Sequence, residues 1–243
     1  MCGRYTLTTP LEALRHLFDF AESPNLQPRY NVAPTQSVPV VRAIEGRRSF
    51  GMMRWGLVPG WAKDISIAAR MINARSETVA QKPAYREAFR SRRCLIPADG
   101  YYEWQKEDGR RQPYRVTRGD GAPMAFAGLW ERWKARKDSG GENPVSAGDL
   151  VETFSIVTTA ASESVGTLHD RMPVVVEPDD FDAWLTLSGE QLEPLQDLLR
   201  PSAISFTITR VGTHVNAVRN DDPRCIAPEG ARAADPTPGE LPF

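Results

Sequence analysis

The sequence predicts an α+β fold: one mixed, mainly antiparallel, β-rich domain with barrel-like sheets and small peripheral helices. Stretches rich in β-branched and aromatic residues recur along the chain, divided by Gly, Pro and Asp turn signals. Helical periodicity is confined to a few short segments. No internal repeat and no linker-like break interrupts residues 1–228.

Taken in order, LEALRHLF (11–18) sets Leu11, Leu14, Leu17 and Phe18 on one helical face, with Pro10 in the first turn and Thr8 or Thr9 as cap. Strands are expected over 37–43 and 48–58, then a helix over 83–92, where Tyr85 and Phe89 lie four apart. CLIPADGYYEW (94–104) and QPYRVTR (112–118) read as strands joined by a hairpin loop, KEDGRRQ (106–112). A strand over 123–133 precedes a Gly/Ser/Asp-rich insertion at 135–149, and strands follow at 152–161 and 171–177. Pro178 and its acidic followers open a helix over 178–185 that buries Phe181, Trp184 and Leu185. A last helix over 189–200 stops at Pro201, and a strand over 205–212 completes the set. Residues 229–243 are Pro/Gly-rich and expected to be a disordered tail.

At 243 residues, 41% hydrophobic and 25% charged, the chain can bury a sizeable core. Its longest apolar runs, such as MPVVV (172–176), are too short to span a bilayer, and the start lacks a secretory pattern. A cytoplasmic, nucleoid-associated, monomeric protein without membrane attachment is expected. Cys2, Cys94 and Cys225 are odd in number and widely separated, which argues against a disulfide framework or a zinc site. No metal or nucleotide cofactor is implied. Residues 1–118 carry 20 Lys and Arg against 11 Asp and Glu, whereas residues 119–243 carry 10 against 20. Of the basic residues 25 are arginine, whose planar fork suits phosphate oxygens; a genome-wide arginine habit would leave the same trace.

The start, MCGRY, poses a chemical question. Removal of Met1 would leave Cys2 with a free amine beside its thiol, a 1,2-aminothiol. An α-amine titrates near ~8, so it is partly neutral and nucleophilic at physiological pH. It can add to an aldehyde and lose water, after which the thiol closes a five-membered ring on the imine carbon. Serine there could close only a less stable oxazolidine. Gly3 leaves room for a backbone to approach.

Six further blocks are too rich in unusual residues to be scaffold alone: RYNVAPT (29–35), RWGLVPGWAKD (54–64), MINARSET (71–78), RCLIPADGYYEW (93–104), FAGLWE (126–131) and HDRMPVVV (169–176). With MCGRY, and in this order, they resemble the SOS response-associated peptidase family of abasic-site processing, DNA–protein crosslinking proteins. The resemblance implies that Cys2 captures the aldehyde of an abasic site in single-stranded DNA as a thiazolidine. It makes Glu103, set among aromatics that raise its pKa, the acid/base group. It places His169 beside the reacting sugar as a proton relay or phosphate partner, and Asn73 as an amide that orients the Cys2 amine or a sugar hydroxyl. Arg4, Arg75 and Arg171 would grip phosphates, while Asn31, Pro34, Trp61 and Trp104 would line the DNA channel, the tryptophans stacking on bases. His16 and His214 read as structural or solvated, and Trp130 and Trp133 as core. Two other readings stay open: an N-terminal-nucleophile cysteine peptidase or hydrolase, and a non-catalytic single-strand-binding module.

Overall fold

The computed structural model describes residues 2–139 and 144–230. The expectations about Met1, the centre of the 135–149 insertion and residues 231–243 of the tail lie outside the described residues. In chain order the elements are β1 (Tyr5–Leu7), α1 (Leu11–Phe18), β2 (Arg29–Val32), β3 (Ser37–Ile44), β4 (Arg47–Trp55), β5 (Asn73–Arg75), α2 (Arg86–Ser91), β6 (Arg93–Ala98), β7 (Gly100–Glu107), β8 (Arg110–Arg118), β9 (Met124–Lys134), β10 (Leu150–Ala160), α3 (Glu163–Gly166), β11 (Arg171–Pro173), β12 (Val175–Val176), α4 (Phe181–Thr186), α5 (Leu192–Asp197) and β13 (Phe206–Arg210). The architecture is the expected α+β type, strand-rich and mainly antiparallel.

Strands β10, β4, β3, β6 and β9 pair in succession, and β9 pairs back onto β10, closing a five-stranded barrel. Only its β10–β4 seam is parallel. Closure removes edges, and the interior fills with fully buried Trp55, Phe126, Phe154 and Ile96. Strands β5 and β11 extend β10, and β12 extends β9. A second, five-stranded sheet runs β13-β8-β7-β1-β2 and shares this core through Tyr5 and Tyr101, each edge-on to Phe126.

Several predicted strands break where a tertiary partner intervenes. The run over 94–104 splits at Asp99, whose carboxylate leaves the ladder to accept from the backbone N–H and hydroxyl groups of Thr8 and Thr9. β6 thus stays in the barrel while β7 joins the other sheet. The run over 48–58 stops at Trp55 because Gly56 has φ +118°, and a Cβ there would lie 2.7 Å from the Ala68 carbonyl oxygen. The run over 171–177 becomes two strands on different neighbours. Strands β7 and β8 consume most of the expected 106–112 loop, leaving Asp108 (φ 46°) and Gly109 (φ 79°) as a two-residue turn. The helix expected over 189–200 is only Leu192–Asp197, since Pro194 has no N–H and is tolerated only in a first turn. Pro228 and Glu229, expected at the tail boundary, pair with Val211 and Arg210.

Helices α2 and α4 are held by one residue. The buried Arg93 guanidinium donates to the carbonyls of Phe89 (2.7 Å) and Arg90 (2.8 Å) at the end of α2, and of Trp184 and Leu187 (both 2.5 Å) at the end of α4. A cation among helix C-terminal carbonyls meets the negative end of both dipoles. No helix among the described residues is long and apolar enough to cross a membrane.

Candidate active site

β1 delivers the first residues of the chain to the centre of the second sheet. Tyr5 pairs with Tyr101, and the Tyr102 N–H donates to the Arg4 carbonyl at 3.0 Å, so MCGRY lies alongside GYYEW. From the barrel side, β5 runs parallel to β10 and presents Asn73. The Asn73 Nδ2 donates to the Cys2 carbonyl at 2.8 Å, and the Tyr85 hydroxyl donates to the Asn73 carbonyl at 3.1 Å. Two sheets therefore converge on Cys2.

The Cys2 side chain is fully buried, its thiol 3.8 Å from the Arg4 carbonyl. Burial, reinforced by the negative charge of Glu103, pushes the thiol well above its ordinary pKa, so it stays protonated at neutral pH. Glu103 is only 4% exposed. Burial raises its carboxyl above the usual range, and a positive charge on His169 works in the opposite direction. His169 follows α3. The Arg171 N–H donates to its Nδ1 at 2.9 Å, and Asp170 Oδ1 stands 2.7 Å from the same nitrogen.

Glu103 and His169 open onto a groove of about 610 Å³, lined also by Gly3, Arg4, Pro34, Ile72, Trp104, Arg111 and Asn216. Arg4 donates to Asn31 Oδ1 (2.8 Å) and to the Val215 carbonyl (3.1 Å), and its guanidinium lies 5.8 Å from the Trp104 ring centre. Arg111 lies 5.6 Å from the same ring. The indole is fixed by its own N–H, which donates to Asn216 Oδ1 at 2.7 Å.

The structure thus gathers Cys2, Asn73, Glu103, His169, Arg4, Pro34 and Trp104. The other four candidates sit differently. Asn31 is fully buried behind Arg4, its Nδ2 spent on the carbonyls of Val215, Ala217 and Asn220. It is a strut rather than a channel-lining group, a correction to the sequence expectation. Arg171 donates to the Glu77 carboxylate and the Thr158 carbonyl, which draws its fork away from the groove; the same contact holds Glu77 below the usual carboxylate range. Arg75 is exposed at the end of β5, and Trp61, 58% exposed, sits on the turn after Pro59; neither lines the groove. Sequence reasoning missed Arg111 and Asn216. Arg111 hides in an apparent hairpin loop, and Asn216 in a 3₁₀ turn, Thr213–Asn216, that only the fold brings near.

That turn and a second, Pro223–Ile226, form a clip over β2. Asp221 accepts from Arg29 (2.5 Å) and from the N–H groups of Tyr30 (2.5 Å) and Asn31 (2.9 Å), and the Tyr102 hydroxyl donates to the Tyr30 carbonyl at 2.7 Å. His214, Asp222 and Cys225 hold donor atoms within 4.8 Å of one another, a cation-like spacing. Asp222, however, already serves the Arg224 guanidinium, the Arg224 N–H and the His214 ring. The trio reads as part of the clip.

Known proteins resemble this chain over nearly its whole length. A family model described as SOS response associated peptidase (SRAP) matches residues 1–218. The abasic site processing protein YoaM of Bacillus subtilis is 37% identical over 94% of this chain and 99% of its own. The abasic site processing protein YedK of Escherichia coli is 30% identical over 94% of this chain and 100% of its own. A crystal structure of a Bacteroides thetaiotaomicron protein superimposes with a TM-score of 0.78 over 93% of this chain and 98% of that one, at 23% identity, a likeness of fold. Another, from Bordetella bronchiseptica, gives 0.71 at 27% identity over 87% of this chain and 100% of that one.

Proposed function

The chain belongs to the SOS response associated peptidase family, and from that premise we propose that it processes abasic sites in DNA by capturing them covalently in single strands. The observation that carries this reading is the convergence of Asn73 and Glu103, from two sheets, on Cys2.

Removal of Met1 exposes the Cys2 amine. Its nitrogen adds to the C1 aldehyde of the opened sugar, giving a carbinolamine. Glu103, whose carboxyl burial raises above the usual range, gives its proton to the carbinolamine hydroxyl; water leaves and a protonated imine forms. Sulfur then adds to the imine carbon, and the thiol proton passes to the Glu103 carboxylate, which restores the acid. The product is a thiazolidine with both C–N and C–S bonds to one sugar carbon. His169 supplies the second proton carrier needed to open the closed hemiacetal, and Asn73 fixes the Cys2 carbonyl so that amine and thiol face the same carbon. A protonated thiol suits this order, amine first and sulfur second. Arg4 holds the strand beside the reacting sugar, Trp104 and Pro34 line its path, and Trp61 and Arg75 serve flanking nucleotides.

Intact mass spectrometry of purified protein, with and without a single strand carrying one abasic site, tests the proposal. The expected result is loss of Met1 and a denaturation-stable adduct, less water, that Cys2→Ala abolishes and Cys2→Ser leaves reversible. Retained Met1 with full crosslinking, or binding with no adduct, overturns it; the second outcome is that of a non-catalytic single-strand module.

A further inference from the structure

We propose that Arg111 and Arg4 together form a seat for one backbone phosphate of the bound strand, on the Trp104 side of the groove. The inference rests on reading single-stranded DNA as the substrate.

Most of this chain's partly buried arginines answer to carboxylates: Arg29 to Asp221, Arg42 to Glu152, Arg92 to Glu131 and Arg118 to Glu177. Arg4, also partly buried, is different, and the exposed Arg111 stands with it in the groove. Among the described residues neither has a carboxylate within ion-pair reach, yet both stand within 6 Å of one indole ring centre. Arg4 is held there by Asn31 and Val215, and its pKa is lowered by burial and then by the charge of Arg111. Two like charges gathered without a counter-ion repel, and a groove that keeps them so is completed by an anion. A phosphodiester supplies one negative charge and two oxygens, one for each fork. The Trp104 ring beside them offers an unpaired base a stacking surface.

Arg111 also comes with a control. Arg110 is its neighbour on β8, also exposed, and strand alternation turns it to the opposite face. Anisotropy binding of an undamaged, labelled single strand across a KCl series compares wild type with Arg111→Ala, Arg111→Lys and Arg110→Ala. All three variants are surface changes that leave the core intact. Arg111→Ala is expected to weaken binding roughly 5- to 10-fold at low salt and to lower the log–log salt slope by about 0.7, the share of one phosphate on a single strand. Arg111→Lys should keep most of the slope. Arg110→Ala, with the same change in net charge, should keep the wild-type slope. Equal effects of the two alanine variants, an unchanged slope in Arg111→Ala, or no salt-dependent binding by wild type overturns the inference. An undamaged strand has no aldehyde, so failure of covalent capture shows in the mass experiment and not in this one.

Discussion

Asn31 offers the sharpest test of how the groove is built, because a residue expected to line it proves to brace it from behind. Replacing it with alanine removes an amide whose two N–H bonds are shared among three carbonyls, at 3.1, 3.1 and 2.7 Å, and whose oxygen takes a charged bond from Arg4 at 2.8 Å. Two neutral bonds contribute about 1 kcal/mol each, and the charged one about 1.5–3 kcal/mol. The 213–220 segment is partly exposed, so water relieves some of the stranded carbonyls. The net loss should be about 3–5 kcal/mol. In urea, with m near ~3 kcal/mol/M for a chain of this size, the midpoint falls by about 1–1.7 M at unchanged m. A double-mutant cycle with Arg4→Ala should return about 1.5–3 kcal/mol of coupling. A midpoint shift below about 0.3 M, or additive single mutants, would refute the account of Asn31 as the brace of Arg4.

Burial raises the Glu103 carboxyl, so the native state keeps a proton there that the unfolded chain has already released. Stability is therefore lost as pH rises from the ordinary carboxyl range through the raised value. Glu103→Gln, neutral throughout, should match wild type at pH 4 and become progressively more stable than it towards pH 8; denaturant midpoints at each pH measure the gap, and a constant gap refutes the burial argument. Arg93→Met keeps the apolar stem but strands four carbonyls at two helix ends. It should cost about 3 kcal/mol or more by urea unfolding, and a loss below about 1 kcal/mol would show that those carbonyls find other donors.

Long strands were legible because β-branched and aromatic density is a local property: β3, β8, β9 and β10 coincide with their predicted runs to within a few residues. Strand ends were not, since Asp99 is drawn off by Thr8 and Thr9, and Gly56 is demanded by Ala68, partners remote in sequence. β1, β2 and β5, three or four residues each, have no periodicity to read and exist as strands only through their neighbours. At the site, motif resemblance located Cys2, Asn73, Glu103 and His169, whose side chains the fold gathers. A polar motif residue carries no mark of whether it faces a ligand or supports one that does, hence Asn31. Arg171 looked like a phosphate grip until Glu77 appeared across from it. Arg111 and Asn216 come from segments over 100 positions apart, joined by a bond from the Asn216 amide to the Arg111 carbonyl at 3.3 Å.

The clip over β2 has a bearing on when the reactive centre comes into being. Arg4 leans on Val215, and the N–H groups of Tyr30 and Asn31 need Asp221, so the opening strands wait for residues about 190 positions downstream. Contacts that distant form late in folding and late in synthesis. A nascent polypeptide thus carries its cysteine out of the ribosome long before the surrounding acid, imidazole and guanidinium groups are in place.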